Sequence, residues 1–163
     1  MNILVSNDDG IFAPGIALLA DVCREVGAVT VVAPDREQSG TSHSLTLHRP
    51  LRPQRRPDGA FQIDGTPTDC VVMAVRKILP GMPDLVLSGV NRGQNIADDV
   101  TYSGTIAAAM EGTQLGFKSI ALSQVTGIHG NGFSYEVAEQ HGAEIVARLL
   151  KLSFGPGVLM NVN

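Results

Sequence analysis

Short runs of β-branched and aliphatic residues alternate along this chain with longer stretches of helical spacing, and this alternation constrains the fold more than any other feature. Strands separated by helices return parallel to one another through crossovers, which builds βαβ units and a sheet covered on both faces. Residues 2–6 read as the first strand. Residues 14–26 read as a helix, because Leu18, Leu19, Val22 and Val26 recur on one face and Pro14 suits a first turn. Residues 29–33 are the second strand. Residues 35–62 break the rhythm: Pro and Arg punctuate them, while Leu45, Leu47 and the run 61–63 alternate weakly, as in an inserted loop with edge strands. Thr66, Pro67 and Asp69 read as the N-cap, first-turn proline and acidic third position of a helix that reaches about residue 79, where Pro80 and Gly81 stop it. Strands at 85–88, 119–122 and 158–162 and helices at 104–115 and 135–152 complete the order, with GIHGNG at 127–132 as a mobile surface loop. The expected fold is a three-layer α/β/α sandwich around a Rossmann-like, mostly parallel sheet.

A chain of 163 residues is the size of one domain and buries a core without disulfides. With 44% hydrophobic and 17% charged residues, neither disorder nor a membrane composition fits. The net charge of −4 gives no general attraction to nucleic acid or to an anionic membrane, so a phosphate-bearing ligand has to be bound locally. Cys23 and Cys70 sit in apolar helical patterns with no metal or redox spacing and read as buried free thiols. The opening MNILVSNDDG has no basic region and turns polar after four or five apolar residues, unlike a secretion signal; a cytoplasmic location is expected.

In such a sheet ligands bind beyond the carboxyl ends of the strands. Polar residues collect there: Ser6, Asn7, Asp8, Asp9 and Gly10 after the first strand, Gln38, Ser39 and Gly40 beyond the second, and Ser88, Gly89 and Asn91 after the strand at 85–88. Adjacent ionised carboxylates repel, and a hard divalent cation relieves them. Asp8, Asp9, Ser39 and Asn91 are all oxygen donors, which favours Mg²⁺ or Mn²⁺ over Zn²⁺. The alternative is that the acidic pair only forms a turn before Gly10. TYSGT at 101–105 leads straight into a helix, so Ser103, the Gly104 N–H, Thr105 and the amide of Asn95 can cradle a phosphoryl group; ordinary capping is the competing reading. Arg49, Arg52, Arg55 and Arg56 read as a solvated loop or a subunit contact. Of the histidines, His43, His48, His129 and His141, only His43 stands out, as a neighbour of Ser39. Asp98 and Asp99 read as solvated turn residues without a catalytic role.

SNDDG at 6–10, APGI at 13–16, VVAPDREQSG at 31–40, GTPTDC at 65–70, SGVNRGQN at 88–95 and YSGT at 102–105 together resemble the SurE survival protein family, in the expected order and over the whole chain. The resemblance implies a metal-dependent nucleotidase that removes phosphate from nucleoside 5′- and 3′-monophosphates, with short polyphosphate as a further substrate. It implies one divalent cation per subunit, Mg²⁺ or Mn²⁺, on Asp8, Asp9, Ser39 and Asn91, and phosphate contacts at Asn95, Ser103, Gly104 and Thr105, with Asp8 and Asp9 as catalytic residues. It also implies a homodimer or homotetramer. SurE chains continue beyond this point into an extension used for subunit contacts, so residues 1–163 are expected to form a single SurE-like domain without it. Base and sugar contacts are expected from residues 35–62 and 124–134. Two rivals weigh against this: a non-enzymatic signalling domain of the receiver type, and a phosphatase of the haloacid dehalogenase type. The first needs a phosphoacceptor Asp and a Lys at other strand ends, and the second an Asp-x-Asp spacing; the chain has neither suitably placed.

Overall fold

The computed structural model describes residues 1–125 and 133–163; the GIHGNG stretch lies outside them. Seven strands form one sheet in the order β3-β4-β2-β1-β5-β6-β7. They are β1 (Asn2–Ser6), β2 (Ala28–Pro34), β3 (Pro53–Arg55), β4 (Phe61–Ile63), β5 (Leu85–Arg92), β6 (Lys118–Gln124) and β7 (Met160–Val162). Every pairing is parallel except β3 against β4 at the edge.

Alternate residues of the central strands feed two separate cores, which is why these strands read as unbroken apolar runs. Ile3 and Val5 of β1 and Leu85 and Leu87 of β5 pack with Leu19 and Cys23 of α1 (Pro14–Cys23) and Val146 of α5 (Glu136–Leu150). Leu4 and Val86 point the other way, onto Cys70 and Val71 of α2 (Pro67–Met73) and Ala108 of α4 (Gly104–Gln114). The result is the expected three-layer sandwich, and both cysteines are buried and free.

Several bounds differ from the sequence reading, for local reasons. Helix α1 stops at Cys23 although Val26 continues its apolar face, because the Val26 and Gly27 N–H groups both turn back to the Cys23 carbonyl, at 2.9 and 3.1 Å. Gly27 then passes so close to the start of β1 that a Cβ there would lie 2.5 Å from the Met1 carbonyl oxygen. Leu45 and Leu47 belong to no strand and are exposed; Pro53–Arg55 supplies the edge strand instead. Helix α2 continues into a π-helical segment, Ala74–Ile78, closed by a bond from the Leu79 N–H to the Ala74 carbonyl. Asp98 and Asp99 open a short helix, α3 (Asp99–Tyr102), where the sequence suggested a turn.

The largest difference concerns β5, which runs four residues past the expected end at 88. Its pairing with β6 breaks after Ser88 and resumes with Asn91 opposite Ser123 and Arg92 opposite Gln124. Gly89 makes this possible: its φ is +134°, and a Cβ would fall 2.2 Å from the Leu122 carbonyl oxygen. Asn91 and Arg92 are thereby carried beyond the sheet on a paired strand.

The insert is fastened at the start of α2. The Thr66 hydroxyl accepts from the Asp69 N–H (3.1 Å) and donates to the Ser44 carbonyl (2.7 Å), while the Asp69 carboxylate accepts from the Thr66 and Thr46 N–H groups (2.9 and 3.1 Å). This capping box stabilises α2 and the loop together. Thr66→Ala is expected to lower unfolding stability by about 1–2 kcal/mol, with Thr66→Ser retaining most of it, as read by urea denaturation.

Candidate metal and phosphate site

The sheet order reverses between β2 and β5, on either side of β1, so a crevice opens above the carboxyl ends of these strands. Three loops meet there. The loop after β2 is tied to the loop after β1 by bonds from the Gln38 N–H to the Asp8 carbonyl (2.7 Å) and from the Ile11 N–H to the Pro34 carbonyl (2.8 Å). Asp8, Asp9, Ser39, Asn91, Asn95 and Ser103 all line one open cleft of about 460 Å³. Gly104 and Thr105 lie behind its wall, against Asp8.

Asp8 is only 4% exposed and sits against the first turn of α4. Burial raises its pKa above the ordinary carboxylate value; the Thr105 hydroxyl, which donates to Asp8 Oδ1, and the Thr105 and Gly104 N–H groups oppose that rise. Gly104 permits the approach, since a Cβ there would lie 2.6 Å from the Asp8 Cβ. Asp9 is less enclosed. Burial, the neighbouring Asp8 charge and, more weakly, Glu37 push its pKa up to about 6, against a hydrogen bond from the Arg92 backbone.

The remaining donors are partly committed, in ways that leave oxygens available. Asn91 gives an amide hydrogen to the Gly93 carbonyl (2.9 Å), and its Oδ1 has no partner among the described residues. The Ser39 hydroxyl donates to Glu37 Oε1 (2.9 Å), which leaves its lone pairs for a cation. The Ser103 hydroxyl accepts from the Ile106 N–H (3.1 Å), so its own hydrogen stays free to donate to an anion. Capping and anion contact are therefore compatible at Ser103. Asn95 spends one amide hydrogen on Ser123 Oγ (2.9 Å) and retains the other.

Does this set fit a divalent cation? Asp9 Oδ2 is buried with no hydrogen-bond partner among the described residues, the state of an oxygen whose natural partner is not a protein donor. No three His, Cys, Asp or Glu residues cluster as a metal site among those residues, so the third and fourth donors would come from the hydroxyl of Ser39 and the amide oxygen of Asn91. An all-oxygen set of this kind suits a hard ion such as Mg²⁺ or Mn²⁺ that keeps open positions.

Glu37, Arg92 and Tyr102, which the sequence does not single out, line the cleft, as does Asp99, which reads in the sequence as a solvated turn residue. Glu37 stands two residues before Ser39 and was legible as a further acid. His43 does not reach Ser39's cleft; its Nε2 lies 2.8 Å from Glu111 Oε2 on α4. In the arginine cluster, Arg49 pairs with Asp64 at 2.8 Å and Arg56 with Asp58 at 3.1 Å, and Arg56 lies over the Phe12 ring.

A Rossmann-like sheet with an acidic pair and further oxygen donors at its switch point defines the class: an α/β protein with a polar, acidic cleft beyond the carboxyl ends of its central strands. Within that class the chain belongs to the SurE family, whose model, described as Survival protein SurE, matches residues 3–163. Proteins named 5′-nucleotidase SurE from Methylobacterium radiotolerans and Brucella anthropi are 57% and 54% identical over the whole chain. The chain spans 65% and 64% of their respective lengths. A crystal structure of the SurE protein from Aquifex aeolicus superimposes with a TM-score of 0.90 at 41% identity, over 99% of this chain and 64% of that one.

Asp9's raised pKa makes a prediction for the metal-free protein. Its carboxyl holds a proton to about pH 6 when folded but only to about 3.8 when unfolded, so folding stability from this group is greatest below pH 3.8 and falls as pH rises to 6. In chelator, Asp9→Asn is expected to melt higher than the parent chain at pH 8, with the gap closing towards pH 4, as measured by thermal scans.

Proposed function

We propose that this chain carries the centre of a divalent-metal-dependent phosphomonoesterase that hydrolyses nucleoside 5′- and 3′-monophosphates to nucleoside and phosphate, with short polyphosphate as a further substrate. The names of its relatives support the activity. The observation that carries the reading is the Asp8–Asp9 pair, with Asp8 buried and one Asp9 oxygen unpartnered among the described residues, in one cleft with Ser39, Asn91, Asn95 and Ser103.

Asp8, Asp9, Ser39 and Asn91 hold one Mg²⁺ or Mn²⁺ in this reading. When bound, the ion supplies Lewis acidity, offsetting charge on the phosphoryl oxygens and lowering the pKa of a water, which a reaction as slow as phosphate-monoester hydrolysis requires. The chain's own residues do the positioning. Asn95 and Ser103 donate to phosphoryl oxygens, and Gly104 and Thr105 serve the phosphate by fixing Asp8 at the cleft wall. Nucleoside contacts come from residues 35–62 and 124–134, of which 126–132 lie outside the described residues. Among the described residues no helix is long and apolar enough to cross a membrane. A cytoplasmic homodimer or homotetramer is the state that the family resemblance supports.

Phosphate release from a panel of nucleoside monophosphates, with Mn²⁺, Mg²⁺ or EDTA, tests this. Release that requires metal and drops at least about a hundredfold in Asp9→Asn and Asp8→Ala is expected. Near-normal turnover by folded Asp9→Asn removes the assignment.

A further inference from the structure

The cleft is lined by four carboxylates, Asp8, Asp9, Glu37 and Asp99, and among its described lining residues Arg92 is the one cation. A divalent ion offsets two of those charges. A phosphate monoester brings close to two negative charges of its own, so it enters a cleft that remains acidic even with metal in place. Some further positive charge has to meet it, and Arg92 is placed to supply it.

Three observations bear on its fitness for the task. Arg92 is the last residue of β5 and pairs in register with Gln124, so its backbone is held beside Asn91 by the sheet rather than by a loop. Its guanidinium lies over the Phe133 ring at 5.1 Å, and Phe133 in turn meets Tyr135 edge to face, with ring centroids 4.5 Å apart. A cation over a ring face is attracted to it, and this holds the guanidinium beside Phe133 without using its N–H groups as donors to an oxygen. Those N–H groups have no carboxylate or carbonyl partner among the described residues, although Arg24, Arg49, Arg56 and Arg148 all have one. The side chain is thus oriented by an aromatic face and uncommitted at the edge that forms two-pronged bonds to phosphate.

We infer that Arg92, steered by the Phe133 ring, is the substrate-contacting cation that binds the phosphoryl oxygens of the nucleotide beside the metal ligand Asn91. Phe133 acts as its positioning residue. The inference rests on the nucleotidase reading and adds to it the residue that offsets the cleft's acidity.

The test is calorimetric titration of inorganic phosphate into Mn²⁺-loaded protein, alongside steady-state release from a nucleoside monophosphate, for the parent chain, Arg92→Gln, Arg92→Lys and Phe133→Leu. Arg92→Gln is expected to weaken phosphate binding and raise KM about tenfold while kcat falls less, since a charge-assisted bond has been lost. Arg92→Lys recovers part of the loss, because a lysine restores charge without the planar fork. Phe133→Leu shifts KM in the same direction by a smaller factor, and Phe133→Tyr restores it. A rise in melting temperature on adding Mn²⁺ is retained in every variant, no smaller than in the parent. Phosphate affinity and KM unchanged in Arg92→Gln, with the parent chain active, overturn the role of Arg92 alone. A metal-loaded parent chain that neither binds nor releases phosphate overturns the nucleotidase reading, and this inference with it.

Discussion

The Asp8 carboxylate meets the Thr105 hydroxyl and the first N–H groups of α4, and much of the molecule is arranged around that contact. The N-terminal end of a helix carries partial positive charge and unpaired N–H groups, and a carboxylate buried against it is partly relieved of the cost of burial. Asp8 is on the loop after β1, the strand at the centre of the sheet order, so one bond fixes α4 to the middle of the sheet. Moving α4 would move Ser103, and moving the loop would move Asp9 and the Gln38 segment bonded to it.

Asp9 has no such relief. It stands beside Asp8, within the influence of Glu37, with one oxygen buried and unpartnered. The two carboxylates therefore differ: Asp8 Oδ1 is tied to the Thr105 hydroxyl, whereas Asp9 keeps a buried oxygen with no hydrogen-bond partner among the described residues. Strain held at a binding site in this way is overcome by the rest of the fold, here by two apolar cores on opposite faces of a parallel sheet.

How much of this was legible depended on sequence separation. The strand and helix order followed from apolar spacing, and the Thr66–Asp69 box from a three-residue interval, because both are local. The ligand candidates Asp8, Ser39 and Asn91 were legible because strand ends in such sheets converge. The Thr105 bond to Asp8 was not, since 97 residues separate the partners and Thr105 read as an anion contact in its own right. Nor was the true length of β5: Gly89 looks like the start of a loop, and only the close approach of the Leu122 carbonyl shows that a glycine there lets the strand continue. Arg92 went unread for the same reason. Leu45 and Leu47 misled, because two alternating leucines imitate a strand that has no neighbour to pair with.

The crowding at Gly104 has a consequence for how such a chain can change over time. Position 104 admits no side chain while Asp8 is in place, and Asp8 cannot become Glu without pressing into the same space. Either replacement alone displaces the carboxylate and the helix start together, so no first step is harmless. Divergence has easier routes elsewhere on the cleft rim, at exposed positions such as 94 and 102, where a side chain can be exchanged without disturbing the wall behind it. The floor of this cleft can change only as a block, whereas parts of its rim tolerate single exchanges.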